Sequence, residues 1–568
     1  MAQGIRLTGY KQPPKRRKRR RSRRNRLLTR TLPLIVVAAT GLVFGMYEAG
    51  AAGRNERALA ARYISNWVHG DYPAMYAMLS PAAKRQVAET TFTNDYIKAN
   101  VTATVSSLAA GNSISLKGNI AREVLTVRTT VFGQLHEQLR LPLSSDEQHI
   151  DWTPTMVFPG LEPGERLTRT SSLGTRGNLL ASNGQVLAQG PNLSSPIPTV
   201  ANEVVGNLGP ISPTAAAAYS AEGYPANAQV GQDGLELIFQ NQLAGRPGGT
   251  LLAGTRILAQ DRPVNGQTVR TTISPQLEID ALNVIGNSYA GMTVMNPRTG
   301  AIEAAAGLAF TAAQPPGSTF KIITATAVLQ NGLATPTTQF PYLSSATLDG
   351  YKLKNAGNEV CGGSLTNAFA TSCNSTYAPL GAQLGAQRLL QTAIKYGFNQ
   401  STGIPTALES TVPPDSLGSA LQDGSAAIGQ DQDQATTLQM ADVGATIADH
   451  GRRPIPTLRY GAKPRFVTVT TPLVAADLQA MMVAVVEYGT GETAQIPGIQ
   501  VAGKTGTAEL ANTGNKKNDT KETDGWFVGY APVAHPKLVI CALYPAAGYG
   551  EQTAAPAVRA VLVAALGN

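Results

Sequence analysis

Ser318 and Lys321 put a hydroxyl and an amine about one helical turn apart on the same face. A serine hydroxyl is a weak nucleophile until a neighbouring base takes its proton, and a neutral lysine can be that base. Pro315-Pro316-Gly317 precede the serine and force a non-helical approach. The apolar run from Ile322 to Leu329 reads as a buried helix, with Gly332 as its stop. The serine is therefore expected at a helix N-terminus, where unpaired backbone N–H groups favour developing negative charge.

Two more segments could meet this pair. Ser372-Cys373-Asn374 offers a second hydroxyl and an amide. Val501-Ala502-Gly503-Lys504-Thr505-Gly506-Thr507 offers a cation and two hydroxyls on a strand-like stretch. Elements must bring these segments together. Tyr289 to Met295, the turn Asn296-Pro297-Arg298-Thr299-Gly300 and Ala301 to Ala306 read as strand, turn, strand. The Ser318 helix and the stretch near Leu438-Gln439-Met440-Ala441 should flank that sheet.

In this order, S-x-x-K, S-x-N and K-T-G resemble the signature of penicillin-binding proteins and serine β-lactamases. Together with Ile428-Gly429-Gln430 and Trp526-Phe527-Val528-Gly529-Tyr530, they make residues 276–568 similar to the D,D-transpeptidase domain of class B penicillin-binding proteins. Cys373 occupies a position that the family varies. The resemblance implies acyl transfer from a D-Ala-D-Ala stem peptide. Ser318 would attack the penultimate D-Ala carbonyl. Lys321 would take the proton, kept neutral by desolvation or by Lys504 as a nearby cation. Ser372 would relay a proton to the leaving amine, and Asn374 would bond Lys321 or the substrate amide. Lys504, Thr505 and Thr507 would hold the terminal carboxylate. Gly506 would let the strand approach the substrate closely, since a side chain there would block it. The backbone N–H groups of Ser318 and Thr507 would form the oxyanion hole. The family's reaction also implies acylation by β-lactams.

The rest of the chain is organised around that domain. Of the net charge of +10, thirteen positive charges lie within residues 1–30, which hold no acid; the remainder carries about −3. The basic run Lys15 to Arg21 could contact nucleic acid, act as a nuclear address or flank a membrane segment. The uncharged stretch Thr31 to Tyr47, followed by Glu48, favours the last, with the N-terminus inside. The expectation is a tail at 1–30, a signal anchor at 31–50 and an extracytoplasmic remainder, with no nucleic-acid partner. Cleavage at Ala49-Gly50-Ala51 is the alternative.

Residues 53–156 read as a small α+β domain. A helix runs over Glu56 to Val68, a second from Asp71 to Leu79, and Ser80-Pro81 opens a third. Thr102 to Thr104, Val124 to Phe132 and Leu135 to Leu141 read as strands. The segments Asn66 to Tyr72 and Tyr76 to Leu79 resemble the NTF2-like domain of methicillin-resistance-type penicillin-binding proteins. Residues 157–275, with Asn183-Gly184 as a hairpin turn, resemble the family's β-rich pedestal, or dimerisation, region through Arg176-Gly177 and Gly234-Leu235-Glu236. The expected fold class is thus multidomain α+β: an anchor, an NTF2-like cone, a pedestal, and a transpeptidase domain whose antiparallel sheet is flanked by helices.

Cys361 and Cys373 are compatible with a disulfide or with two small buried residues, and Cys541 lies in a strand-like run. His69, His136, His149, His450 and His535 are scattered. No metal or cofactor is expected. Lys516 to Glu522 reads as a solvated hairpin tip. The expected partners are peptidoglycan stem peptides, β-lactams as covalent inhibitors, the membrane, and cell-wall or division proteins. The rivals are a serine β-lactamase, a D,D-carboxypeptidase and, from another class, a non-catalytic β-lactam sensor or divisome scaffold. Glu409-Ser410-Thr411 does not supply a β-lactamase's water activator. No Glu-Asp-x-x-Phe-x-x-His run supports a glycosyltransferase.

Overall fold

The computed structural model describes residues 53–509 and 523–567. The expected basic tail, the anchor and the hairpin tip at Lys516 to Glu522 lie outside the described residues. Among the described residues, no helix is long and apolar enough to cross a membrane. The chain forms two compact units.

The first unit comprises residues 53–168 with Leu251–Ala259. Helices Arg54–Val68, Tyr72–Ala77, Pro81–Gln86 and Glu89–Ala103 precede a four-stranded antiparallel sheet. Asp71 and Ser80 cap the second and third helices, accepting from the N–H groups of Ala74 and Ala83. The long strand Ile120–Thr129 pairs with Gln134–Pro142 on one edge and with Val105–Ala109 and Ser115–Lys117 on the other. Trp67, Phe92, Tyr96 and Trp152 fill the core, where Tyr63 Oη lies 2.8 Å from Tyr96 Oη. One expectation fails here: Thr102 to Thr104 is not a strand but the end of the helix Glu89–Ala103. Its buried Phe92, Tyr96, Ala99 and Ala103 recur at helical spacing. That stripe outweighs the β propensity of the last few residues.

The second unit comprises residues 169–250 and 260–567. In its first part, strand Leu179–Leu180 pairs with Val186–Ala188 across the Asn183-Gly184 turn. Arg176 Nε donates to Glu236 Oε2 at 2.7 Å, joining the two short motifs read in the sequence. Burial raises the Glu236 carboxyl above its usual range, although Arg176 opposes that rise.

The remainder is built on one five-stranded antiparallel sheet. Its strands are β1 (Gly291–Met295), β2 (Ile302–Gly307), β3 (Ala502–Glu509), β4 (Thr523–Ala531) and β5 (Leu538–Tyr544), in the order β2-β1-β5-β4-β3. Nearly every residue of β1, β4 and β5 is buried, because helices cover both faces. On one face, α1 (Pro275–Ile285) packs Leu277, Ala281 and Ile285 with the C-terminal helix Ala554–Leu566. The other face meets α4 (Thr437–Ala448) and α5 (Pro472–Tyr488); α2 (Lys321–Gln330) packs on α5, and α3 (Asn374–Leu384) packs on α2. Cys541 is buried in β5, and burial pushes its thiol upward. Cys361 and Cys373 are bridged, with Cα atoms 5.8 Å apart.

Ser318 lies in a 3₁₀ turn, Gly317–Phe320, that feeds α2. Backbone meets backbone there. Gly317 N–H donates to Gly429 O at 2.9 Å. Gly429 has φ +71°, and a Cβ on it would sit 2.1 Å from Gly317 O. Gly317 itself has φ +52°, and a Cβ there would sit 2.7 Å from Thr507 O of β3. The Ser318 turn, the Gly429 loop and the edge strand can approach this closely only without side chains. Gly429→Ala is therefore expected to lower stability by more than about 1 kcal/mol. Denaturant unfolding checks it; a midpoint equal to wild type contradicts this packing.

Candidate active site

Three elements bring the sequence-selected residues together. The 3₁₀ turn and the first residue of α2 carry Ser318 and Lys321. The loop before α3 carries Ser372, and α3 opens with Asn374. Edge strand β3 carries Lys504, Thr505 and Thr507. Lys321 and Lys504 are fully buried.

Lys321 Nζ has three close oxygen neighbours: Ser318 Oγ at 2.9 Å, Ser372 O at 2.6 Å and Asn374 Oδ1 at 2.7 Å. The orientation of the Asn374 amide is fixed, because its Nδ2 donates to Lys354 O at 2.8 Å. Ser372 O and Asn374 Oδ1 can only accept. A neutral Lys321 has two N–H donors and one lone pair. It must spend both donors on those two carbonyl oxygens, which leaves the lone pair for the Ser318 hydroxyl proton. Burial, and then the charge of Lys504, hold the Lys321 amine well below the ordinary lysine range. The arrangement thus prepares both the base and its direction.

Lys504 Nζ lies 2.9 Å from Ser372 Oγ and 3.0 Å from Thr505 O, and burial brings its pKa down to about 7. Ser372 Oγ is 3.4 Å from Lys321 Nζ, so one hydroxyl stands between the two amines. The serine carbonyl reaches Lys321 because Ser372 adopts φ +60°. Such a conformation is unfavourable for a side-chain-bearing residue by about 1–3 kcal/mol and is found where the surroundings impose it. The Cys361–Cys373 bridge closes on the next residue.

A cleft of about 310 Å³ opens over Ser318, Ser372, Asn374, Thr505 and Thr507. Gly506 does not face it. A Cβ there would meet Pro316 O at 2.8 Å and Thr319 Cγ2 at 3.0 Å, so the glycine is needed for strand-to-turn packing, not to leave room for substrate. Sequence reasoning missed Thr490, Glu359 and Glu551 on the cleft wall and gave no role to Gln430. Gln430 Nε2 donates to Thr507 O at 3.3 Å. Thr490 is the one residue of these with a recognisable signal, a lone hydroxyl between Gly489 and Gly491 after a long helix. Burial, then the charge of Glu359, raises the Glu551 carboxyl.

The penicillin binding protein transpeptidase domain family matches residues 290–563, the penicillin-binding protein dimerisation domain family residues 194–271, and the NTF2-like N-terminal transpeptidase domain family residues 56–165. The peptidoglycan D,D-transpeptidase PbpA of Mycolicibacterium smegmatis is 37% identical over 279 residues, covering 44% of this chain and 55% of its own. PbpA of Mycobacterium tuberculosis is 36% identical over 280 residues, with the same coverage. The chain spans about half the length of the curated relatives it matches. The penicillin G acyl-enzyme complex of penicillin-binding protein A from M. tuberculosis aligns with TM-score 0.56 at 26% identity, over 69% of this chain and 99% of that one. The D,D-transpeptidase domain of a peptidoglycan glycosyltransferase from Eggerthella lenta aligns with TM-score 0.56 at 25% identity, over 70% and 99%.

The charge coupling has a testable sign. With neutral Lys321 as the base expected from the sequence, the rate of Ser318 modification by a fluorescent penicillin should rise as pH passes its pKa. Removing the Lys504 charge lets that pKa climb back toward the ordinary lysine range. In Lys504→Gln the rising limb of the pH–rate profile is expected at higher pH, whatever happens to the maximum rate. A limb that stays in place would show that the two amines are not coupled.

Proposed function

We propose a peptidoglycan D,D-transpeptidase activity for this chain, which belongs to the penicillin-binding proteins that carry an NTF2-like N-terminal domain. The observation that carries the reading is the Lys321 amine, whose two accept-only partners direct its lone pair at Ser318 Oγ. Ser318 gives its proton to Lys321 as Oγ attacks the penultimate D-Ala carbonyl of a stem peptide. The N–H groups of Ser318 and Thr507 receive the developing oxyanion. The proton then passes through Ser372 Oγ, between the two amines, to the nitrogen of the departing D-Ala. Lys504, Thr505 and Thr507 hold the terminal carboxylate, and Asn374 keeps Lys321 in place. A second amine attacks the acyl-enzyme, forms the cross-link and returns the proton to Ser318.

A β-lactam enters by the same attack. Its ring opens, but the amine stays tethered to the acyl group and keeps the acyl-enzyme from turning over. The catalytic domain works outside the cell membrane, held by a single-pass anchor at residues 31–50 with residues 1–30 inside. The Cys361–Cys373 bridge supports that placement, since disulfides persist in oxidising compartments. Residues 53–156 and 157–275 act as spacer and pedestal.

Incubation of the protein with a pentapeptide ending in D-Ala-D-Ala and an amine acceptor is expected to yield the cross-linked dimer and free D-Ala. Ser318→Ala should lose both products, by about 10³-fold or more. Free D-Ala with no dimer under saturating acceptor would make the protein a carboxypeptidase.

A further inference from the structure

The Thr505 hydroxyl has one proton and several claims on it. It lies 3.5 Å from Lys504 Nζ and borders the cleft where the terminal carboxylate is proposed to sit. Its other close neighbour is Thr490 Oγ1, with which it makes a short hydroxyl–hydroxyl contact. Thr490 follows α5 and lines the same cleft. Its backbone N–H donates to Ala370 O at 3.0 Å, and its hydroxyl stands 3.4 Å from that same carbonyl.

Two proton arrangements are possible. In one, Thr490 donates to Ala370 O and accepts from Thr505, so Thr505 shows the cleft only lone pairs and repels a carboxylate. In the other, Thr490 donates to Thr505 Oγ1, and the Thr505 proton is released to the cleft. Ala370 O already has a backbone donor, and a contact of 3.4 Å is long for a hydroxyl donor, whereas the Thr490–Thr505 contact is short. The second arrangement is favoured. An anion in the cleft strengthens it further, because donors in a chain polarise one another.

We infer that Thr490 is a positioning residue: by donating to Thr505 it turns the Thr505 proton toward the carboxylate of the bound peptide or β-lactam, and so selects for carboxylate-bearing substrates. The inference rests on the acyl-transfer reading above. It makes Thr490 part of carboxylate recognition without requiring it to touch the reacting atoms. Thr490 should therefore matter only when the ligand carries the carboxylate, which a purely structural threonine would not do.

The test uses the full chain, with benzylpenicillin and its methyl ester competing separately against a fluorescent penicillin. Wild type is expected to prefer the free acid. In Thr490→Val the acid-to-ester ratio of acylation rate constants should fall about tenfold, the loss of one hydrogen bond to a charged group, mainly through weaker binding. Thr490→Ser should restore the ratio. If the valine variant does not melt cooperatively, Thr490→Ala is read in the same way. An unchanged ratio, an equal loss on acid and ester, or a wild type indifferent to the carboxylate each overturns the inference. A wild type labelled by no penicillin at all overturns the acyl-transfer reading, and the inference with it.

Discussion

A lysine amine buried among oxygen atoms sets the conditions for the rest of the site. Removing an ammonium from water is costly, and burial together with a second cation brings Lys321 far below its ordinary range. Once neutral, it can satisfy two accept-only carbonyl oxygens in only one way, and that leaves its lone pair on Ser318. Each partner is then constrained in turn. Asn374 must keep its oxygen toward the amine, and Lys354 O holds the amide in that sense. Ser372 must turn its carbonyl inward, which takes a left-handed backbone at a residue that has a side chain.

The same demand reaches the strand and the turn. Lys504 has to stand close enough to lower the Lys321 pKa and still share the Ser372 hydroxyl. That distance requires β3 to lie against the Ser318 turn, backbone on backbone. Gly317, Gly429 and Gly506 each occupy a place where a Cβ would fall within 3 Å of a neighbouring backbone atom. The five-stranded sheet, covered on both faces, is the rigid base that keeps this edge in position. Burial lowers both amines below the ordinary lysine range, a desolvation cost that a site used only for packing would have no reason to bear.

Much of this was legible in the sequence because the chemistry is carried by short motifs. Ser318 and Lys321 are one turn apart, so their meeting needs only a helix start. Ser372, Asn374, Lys504 and Thr505 were legible as motifs but not as a geometry, since nothing local says which amine faces which oxygen. The Cys361–Cys373 pairing stayed open for the same reason: twelve residues of separation do not fix a distance. Gly506 was given the wrong neighbour, because alternation along a strand tells which residues share a face but not which face meets the Ser318 turn. Thr490 was missed because it lies on a loop and acts through another side chain. The helix Glu89–Ala103 was misread at its end, where three short residues concealed a helical stripe that begins at Phe92.

The most direct test of the central claim, that Ser318 is the nucleophile served by Lys321, is the mass and position of a penicillin adduct. Intact-protein mass spectrometry after benzylpenicillin, followed by peptide mapping, should find one added penicillin on the peptide carrying Ser318. The Lys321→Ala protein should acquire the same adduct at least about 10²-fold more slowly. An adduct on another residue, or equal acylation without Lys321, would contradict the account.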